Sequence, residues 1–332
     1  MGKLQDYINK YNKELEGSII RLSDCPIKEI QRISTGSFSL DIASGGGLPF
    51  SSIIEFFGEE STFKSATALK AIAAIQKKFG KDCIYIDLEN SLTKEWALKN
   101  GIDIKRLHIV RPSTAEKALD MLVDFVSSKE AGIIVIDSVA ALCPSIEVET
   151  TNEKEQMGIK PRLMSKTLRK LSSALQPDNQ NEEAGYNPTI VIFINQTREK
   201  IGILFGSPLT TPGGKALKFH AHIRIHLKTG EYIRDENKNI IGQNVKFNIV
   251  KNKTYKPFQV GQYAFYYDGH IDNEESFINY AIAFKLIDQK GAWYYFKNKK
   301  FKGKEQLIAY LKKQSEILLK LKKDIIDIVK KD

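Results

Sequence analysis

The chain has 332 residues, 42% hydrophobic and 27% charged, the composition of a soluble globular protein long enough for one large core plus a smaller unit. Its formal net charge of +10 favours an anionic partner, of which nucleic acid is the commonest. The three cysteines, Cys25, Cys83 and Cys143, are scattered without a C-x-x-C pair, the start "MGKLQDYINKYNKELEG" is polar, and no apolar run reaches membrane-spanning length. Together these argue against a disulfide framework, a cysteine zinc site, a signal peptide and a membrane span, and a cytoplasmic location is expected.

Residues 1–32 read as a short amphipathic helix followed by "SIIRLSD", the pattern of a lone strand. Such a strand needs a sheet to join, in this chain or in a neighbour. From Ile53 the pattern alternates: strand "SIIEFF", helix "KSATALKAIAAIQKKFG" with Gly80 as its stop, strand "CIYIDLE", helix "AEKALDMLVDFVSS", strand "GIIVIDS", helix "RLMSKTLRKLSSALQ", strand "TIVIFINQ". Continuous apolar strands between helices predict an α/β fold, a mostly parallel sheet covered on both faces. From about Ala221 the period shifts to two in "HIRIHL", "NVKFNIV" and "YAFYY", an expected antiparallel extension of that sheet. Residues 271–332 change texture again, with helix "ESFINYAIAFKLI", then "AWYYFKNKKFKG", then a Lys-rich helix through Val329. They are expected to form a small α+β C-terminal domain, leaving 33–270 as the main core. The polar stretch 176–188 reads as a solvent loop.

The strand-to-helix junction "GEESTFKSA" (58–66) approaches the phosphate-loop pattern G-x-x-x-x-G-K-[ST]. Gly58, Lys64 and Ser65 stand in place, with Phe63 where the second glycine belongs. Backbone N–H groups at a helix start hold phosphate oxygens, the lysine reaches the β/γ-phosphates, and the hydroxyl ligates Mg²⁺. Phe63 is compatible with these roles if its backbone is right-handed helical and its ring points away from the phosphates. Three further polar residues end the neighbouring strands: Asp137, suited to a metal-bound water; Glu89, suited to orient and deprotonate an attacking water; and Gln196, whose amide is suited to sense a γ-phosphate. Ligands of open parallel sheets bind at these carboxyl ends.

The segments "ISTGSFSLDIASGGGLP", "DSVAAL", "MGIKPRLMSKTLRKL", "FINQTREKIGILFG", "GGKALKF", "VKNK" and "GAWYY" run in order along almost the whole chain. The sequence thereby resembles the RecA family of bacterial strand-exchange recombinases, with a Phe-Lys-Ser loop similar to that of T-even-type phage recombinases. The resemblance implies a RecA-type P-loop NTPase core with a short N-terminal helix-strand arm. It implies ATP and Mg²⁺ at Gly58, Glu59, Glu60, Ser61, Thr62, Phe63, Lys64, Ser65 and Ala66, with Ser65 on the metal and Asp137 as the Walker B aspartate. Glu89 becomes the water-activating glutamate, Gln196 the γ-phosphate sensor, and Trp96 of "LTKEWA" the ring that stacks on adenine. The family's aspartate for the adenine amino group is replaced here by Thr93, which puts base selectivity in question. Lys251 and Lys253 match lysines that reach the ATP of an adjacent protomer.

Arg162 and Arg169 lie seven apart on a helix and so share a face able to meet successive phosphates. They follow an acidic, loop-like segment, Glu147–Met157. The second loop, "TREKIGILFGSPLTTPGG", carries Arg198, Ile201, Phe205 and glycines 202, 206, 213 and 214. Apolar wedges on such a loop suit insertion between bases, the role the family assigns to it, with Gly213 and Gly214 at its end. The resemblance further implies a helical filament on single-stranded DNA, homologous duplex as second substrate, single-strand-binding and mediator proteins as further partners, and no membrane. The acidic tail of many bacterial relatives has no counterpart in "DIIDIVKKD", from which weaker autoinhibition, or its transfer to another protein, is expected. His220, His222 and His226 lack an acidic or cysteine partner at metal-ligand spacing, and the Lys-rich last helix suits duplex DNA or plain solvent. The expected function is ATP-dependent homologous pairing and strand exchange. Its rivals are a non-hydrolysing DNA-binding filament protein, with Phe63 disabling turnover, and a RecA-fold motor such as a hexameric helicase, which "SIIRL" and "GAWYY" disfavour.

Overall fold

A computed structural model describes residues 2–14, 19, 21, 23, 30–149, 158–176, 188–199 and 209–331. Helix α1 (Lys3–Glu14) buries no side chain. Most of the expected strand 18–24, and the expected solvent loop between 177 and 187, lie outside the described residues. Strand β1 (Arg32–Ile33) pairs with β2 (Leu48–Pro49) across helix α2 (Phe38–Ser44). Ser37 caps that helix at Leu40 N, and Gly45, with φ 88°, ends it.

The alternation then follows as expected: β3 (Ser52–Gly58), α3 (Lys64–Phe79), β4 (Cys83–Asp87), α4 (Lys94–Lys99), β5 (Leu107–Val110), α5 (Ala115–Ser127), β6 (Ile133–Asp137), α6 (Ser145–Glu149), α7 (Ile159–Ala174) and β7 (Ile190–Gln196). Glu147–Glu149, expected in a loop, complete the short helix α6, and the rest of that acidic segment, 150–157, is not among the described residues. Beyond β7 come the paired β8 (Arg198–Glu199) and β9 (Leu209–Thr210), helix α8 (Ala216–His220), and β10 (Ile223–Arg234), β11 (Ile240–Asn252), β12 (Val260–Tyr266) and β13 (Ile271–Asp272). The chain closes with α9 (Glu274–Ala283), the three-stranded sheet β14 (Asp288–Lys290), β15 (Trp293–Phe296) and β16 (Lys299–Lys302), and helices α10 (Lys304–Lys313) and α11 (Ser315–Lys331). The Lys-rich helix read from the sequence is thus two helices broken at Gln314.

Among the described residues the main sheet has nine strands in the order β13-β12-β11-β10-β3-β7-β6-β4-β5. From β10 to β5 neighbouring strands are parallel. The expected antiparallel extension therefore starts one strand later than its sequence period suggested: "HIRIHL" joins β3 in parallel, and antiparallel pairing begins between β10 and β11. The crossover through loop and α8 after β7 carries enough chain for a parallel return.

Every residue of β3, β4 and β6 is buried, which is why those strands read as unbroken apolar runs. Alternate side chains face two layers. Ile54, Phe56, Tyr85, Val135 and Ile192 pack with Leu69, Ile72 and Ile75 of α3. On the other face Ile53, Ile84, Ile134, Ile136 and Phe193 pack with Leu119 and Leu122 of α5 and Leu168 and Leu171 of α7. Each such side chain contributes about 1.5–3 kcal/mol on full burial. A third cluster joins α9, α10, α11 and β15 and takes in Ile42 of α2. The Phe38 ring meets Phe277 edge-on at 5.6 Å, and the Asn273 side chain bonds both Phe38 N and Gly36 O. The two layers leave the carboxyl ends of β3, β7, β6 and β4 as one rim, where the chemistry-bearing residues collect.

Candidate functional site

The phosphate loop leaves β3 at Gly58. A Cβ there would run into the carbonyl oxygen of Leu227 on β10, so the first glycine of the motif is required by strand packing as well as by phosphate approach. Thr62 Oγ1 donates to Glu59 O at 2.9 Å, closing the loop on itself. Lys64 Nζ donates to Glu59 O and to Thr62 Oγ1. Burial holds the Lys64 ammonium below its ordinary pKa, opposed by the charges of Asp137, Glu89, Glu60 and Glu59.

Phe63 does not adopt the right-handed backbone that the sequence reading required. It is left-handed, φ 61° and ψ 24°, the conformation for which glycine is the usual choice. The ring supplies the compensation. It packs on Phe265 at 4.7 Å between centroids and stacks on Tyr267 at 6.2 Å, adding Phe63 to the apolar layer over α3. The ring is thus committed to the apolar layer, while the left-handed turn at Phe63 leads straight into α3.

At the rim beside α3, Ser65 Oγ donates to Asp137 Oδ2 at 2.5 Å, and Tyr85 OH donates to the same oxygen at 2.5 Å. Burial raises the Asp137 carboxyl, and these two hydrogen bonds oppose the shift. Ser138 Oγ donates to Glu89 Oε1 at 2.5 Å, fixing a carboxylate that is otherwise exposed. A serine hydroxyl touching a carboxylate is a hard-oxygen donor set for Mg²⁺, which binds through one or two protein oxygens and leaves the rest of its shell to phosphate and water. No group of three or more His, Cys, Asp or Glu among the described residues is placed to hold a metal, so the pair matches an ion shared with a nucleotide better than a self-contained cage. Sequence reasoning missed Tyr85 and Ser138. The tyrosine hides in a strand buried on both faces, and the serine is one residue past a motif position.

Trp96 lies on α4, half-buried, 6.3 Å from Phe265. The two aromatic rings thus meet one wall at Phe265, Phe63 from the loop and Trp96 from α4. Thr93, in the place of the family's aspartate, caps α4 by accepting Trp96 N at 3.2 Å.

Gln196 is in register with Gly58, and Thr197 N donates to Gly58 O at 3.1 Å. The candidate sensor therefore lies beside the first residue of the phosphate loop, and the start of the second loop is hydrogen-bonded to it. Just below, fully buried Glu55 accepts from Arg224 Nε at 2.5 Å and from Asn195 Nδ2 at 3.1 Å, while Asn195 also donates to Pro212 O at 3.1 Å. A charged residue inside the apolar run "SIIEFF" was the signal for this network. Arg198 is exposed on β8. Gly213 and Gly214, with φ 87° and 80°, return the loop against Val139, Met164 and Pro161, where side chains would clash. Ile201 and Phe205, with Gly202 and Gly206, lie outside the described residues. Arg162 and Arg169 are both exposed on α7, with exposed Lys166 between them.

Lys251 and Lys253 are not brought to this rim. Lys251 Nζ donates to Lys218 O and Phe219 O at 2.7 and 2.8 Å, closing the carboxyl end of α8. Burial, with Lys253 and Arg224 nearby, pushes its pKa down to about 8. Lys253 lines a cavity of about 610 Å³ with Ser51, Ser52, Phe219, His220 and His222, at the start of β3, while the phosphate loop leaves its end, about 20 Å away for a seven-residue strand. The three histidines have separate partners: Ser172 Oγ on His220 Nδ1 at 2.7 Å, Ile53 N donating to His222 Nδ1 at 3.1 Å, and the Phe57 ring against His226 at 4.8 Å.

Comparison with known proteins agrees with this geometry. The family model for the RecA N-terminal domain matches residues 3–272, and that for the RecA C-terminal domain matches 275–330. The chain is 39% identical over 313 residues to Protein RecA of Legionella pneumophila strains Corby, Lens and Paris, covering 93% of this chain and 87% of each relative. With matching segments over nearly its full length and a nucleotide-type rim where that fold places one, the chain belongs to the RecA family.

Proposed function

We propose that this protein is an ATP-dependent recombinase of DNA recombination and repair, which polymerises on single-stranded DNA and carries out homologous pairing and strand exchange with duplex DNA. The observation that carries the reading is the bond between Thr197 N and Gly58 O, with Gln196 in register beside it. It ties the loop read as DNA-binding to the loop read as phosphate-binding, so nucleotide state and DNA grip share one piece of backbone.

The residues divide the work. The start of α3 and Lys64 hold the phosphates. Ser65 and Asp137 are the residues that would hold Mg²⁺, and the ion would neutralise charge developing on the phosphoryl oxygens. Glu89, steadied by Ser138, takes a proton from the attacking water. Trp96 presents its ring to the base, with Phe63, Phe265 and Tyr267 behind it. Lys251 and Lys253 lie too far from their own chain's phosphates and act on those of an adjacent protomer, as an arginine finger does. Assembly is then a requirement for turnover. Helix α1, with Leu4, Tyr7 and Tyr11 exposed, is the part of residues 1–32 read as an arm packing on the next copy, a heterologous contact that propagates into a filament. Residues 33–270 act as the ATPase core, and 271–332 as a small appended domain.

Phosphate release measured with and without single-stranded DNA, paired with electron micrographs, tests this. Expected are DNA-stimulated hydrolysis and open filaments. DNA binding without stimulated hydrolysis would leave a non-hydrolysing filament protein, and closed hexamers a motor of another class.

A further inference from the structure

We propose that Tyr85 is a positioning residue for the metal-holding carboxylate: by donating to Asp137 Oδ2, its phenol fixes which oxygen of Asp137 faces the phosphate loop, and so sets the affinity for the divalent cation. The proposal rests on the reading of Ser65 and Asp137 as the Mg²⁺ pair.

Tyr85 is 1% exposed, and its ring is packed in the layer over α3. It pairs in register with Val135 on β6, two residues before Asp137. Residues two apart on a strand share a face, so a side chain of tyrosine length reaches diagonally to the carboxylate. Phenylalanine would fill the same space. The hydroxyl is the only polar atom of the ring, and it meets Asp137 Oδ2 at 2.5 Å.

Asp137 Oδ2 has two hydroxyl donors, Tyr85 and Ser65, and they differ in one respect. To ligate a cation, Ser65 must turn a lone pair towards it, so the aim of the proton it keeps for Asp137 is then set by the ion. Tyr85, locked in the core, makes no such turn. The phenol is thus the donor whose geometry is the same in both states. It keeps a buried carboxylate partnered whichever way Ser65 turns and holds its Oδ2 beside Ser65 at the edge of the phosphate loop. This is the outer-sphere arrangement whose loss typically costs 10–100-fold in metal affinity.

The test is Tyr85→Phe in the full chain, with a fluorescent ATP analogue as probe. Its binding is titrated with MgCl₂, and again in EDTA. The expected result is a Mg²⁺ midpoint raised roughly tenfold or more, with Mg-free binding and thermal unfolding close to wild type. In an Asp137→Asn background the same substitution leaves the midpoint unmoved, because the phenol acts only through that carboxylate. A wild-type midpoint in Tyr85→Phe, or an equal shift in both backgrounds, overturns the proposal. Mg²⁺-independent binding by the wild-type protein overturns the parent reading as well.

Discussion

Phe63 holds two opposed contributions in one residue. A left-handed backbone costs a non-glycine residue about 1–2 kcal/mol, and its half-buried ring stabilises by part of the about 1.5–3 kcal/mol that full burial gives. Phe63→Gly removes both, and its stability is expected within about 1 kcal/mol of wild type; Phe63→Ala keeps the strain and loses the ring, and is expected to be about 2 kcal/mol less stable in denaturant unfolding. Turnover is expected to survive Phe63→Gly and to be abolished by Lys64→Ala; a dead glycine variant would assign the ring a part in the chemistry. His222 gives a pH signature. Burial, then Lys253 and Lys251, push its pKa down from 6.5 to about 4, and its Nδ1 must stay unprotonated to accept Ile53 N. Between pH 6.5 and 4 the unfolded chain binds the proton more readily, so this residue's contribution to stability falls as pH falls through that window. Urea midpoints of wild type and His222→Gln, measured across it, should converge towards neutral pH and differ in slope below. At this scale the sequence singled out residues that the fold brings together: Lys64, Ser65, Glu89, Asp137 and Gln196 lie at one rim. It was silent on dihedral angle, which is why Phe63 was expected right-handed. It was silent too on depth inside a strand buried on both faces, where no alternation separates Tyr85 from its apolar neighbours.

Among the elements, α7 and β5 present the surfaces on which outward-facing roles can be tested. Arg162, Lys166 and Arg169 are exposed along one helix, a row suited to the charge spacing of a nucleic-acid backbone. Arg169→Ala should weaken single-stranded DNA binding for all sequences alike and flatten the slope of log affinity against log salt by about 1; a sequence-dependent loss would mean base contact. Strand β5 ends the main sheet with its outer edge unpaired among the described residues, and its Ile109 is 44% exposed. Such an edge accepts a strand from another chain, and Ile109→Lys is expected to reduce self-association in light scattering without shifting the thermal midpoint by more than a few degrees. Long apolar strands and helices with a clear period were legible from sequence. The four-residue β5, the capped α4 and the parallel pairing of β10 were not, because short elements have no period to read and pairing direction is set by the path of α8 between strands.

For the whole molecule, the telling measurement is a mixture. Lys64→Ala lacks the phosphate-holding cation and keeps Lys251 and Lys253; a Lys251→Ala/Lys253→Ala protein is the reverse. If the lysines serve a neighbour, each variant alone is inactive, and an equimolar mixture regains hydrolysis at about a quarter of its junctions, the share in which one subunit's intact loop faces the other's intact lysines under random head-to-tail assembly. A mixture as dead as its components would return the lysines to their own chain.

If Lys251 and Lys253 act on a neighbour's phosphates, a head-to-tail assembly has a direction. A row of n subunits would then contain n − 1 complete centres, with the incomplete one always at the same end. The subunit there would bind nucleotide with no cation offered from outside and so retain it longest. One terminus of the filament would keep its nucleotide while every interior junction turns over, making the two ends chemically unlike although every subunit is identical.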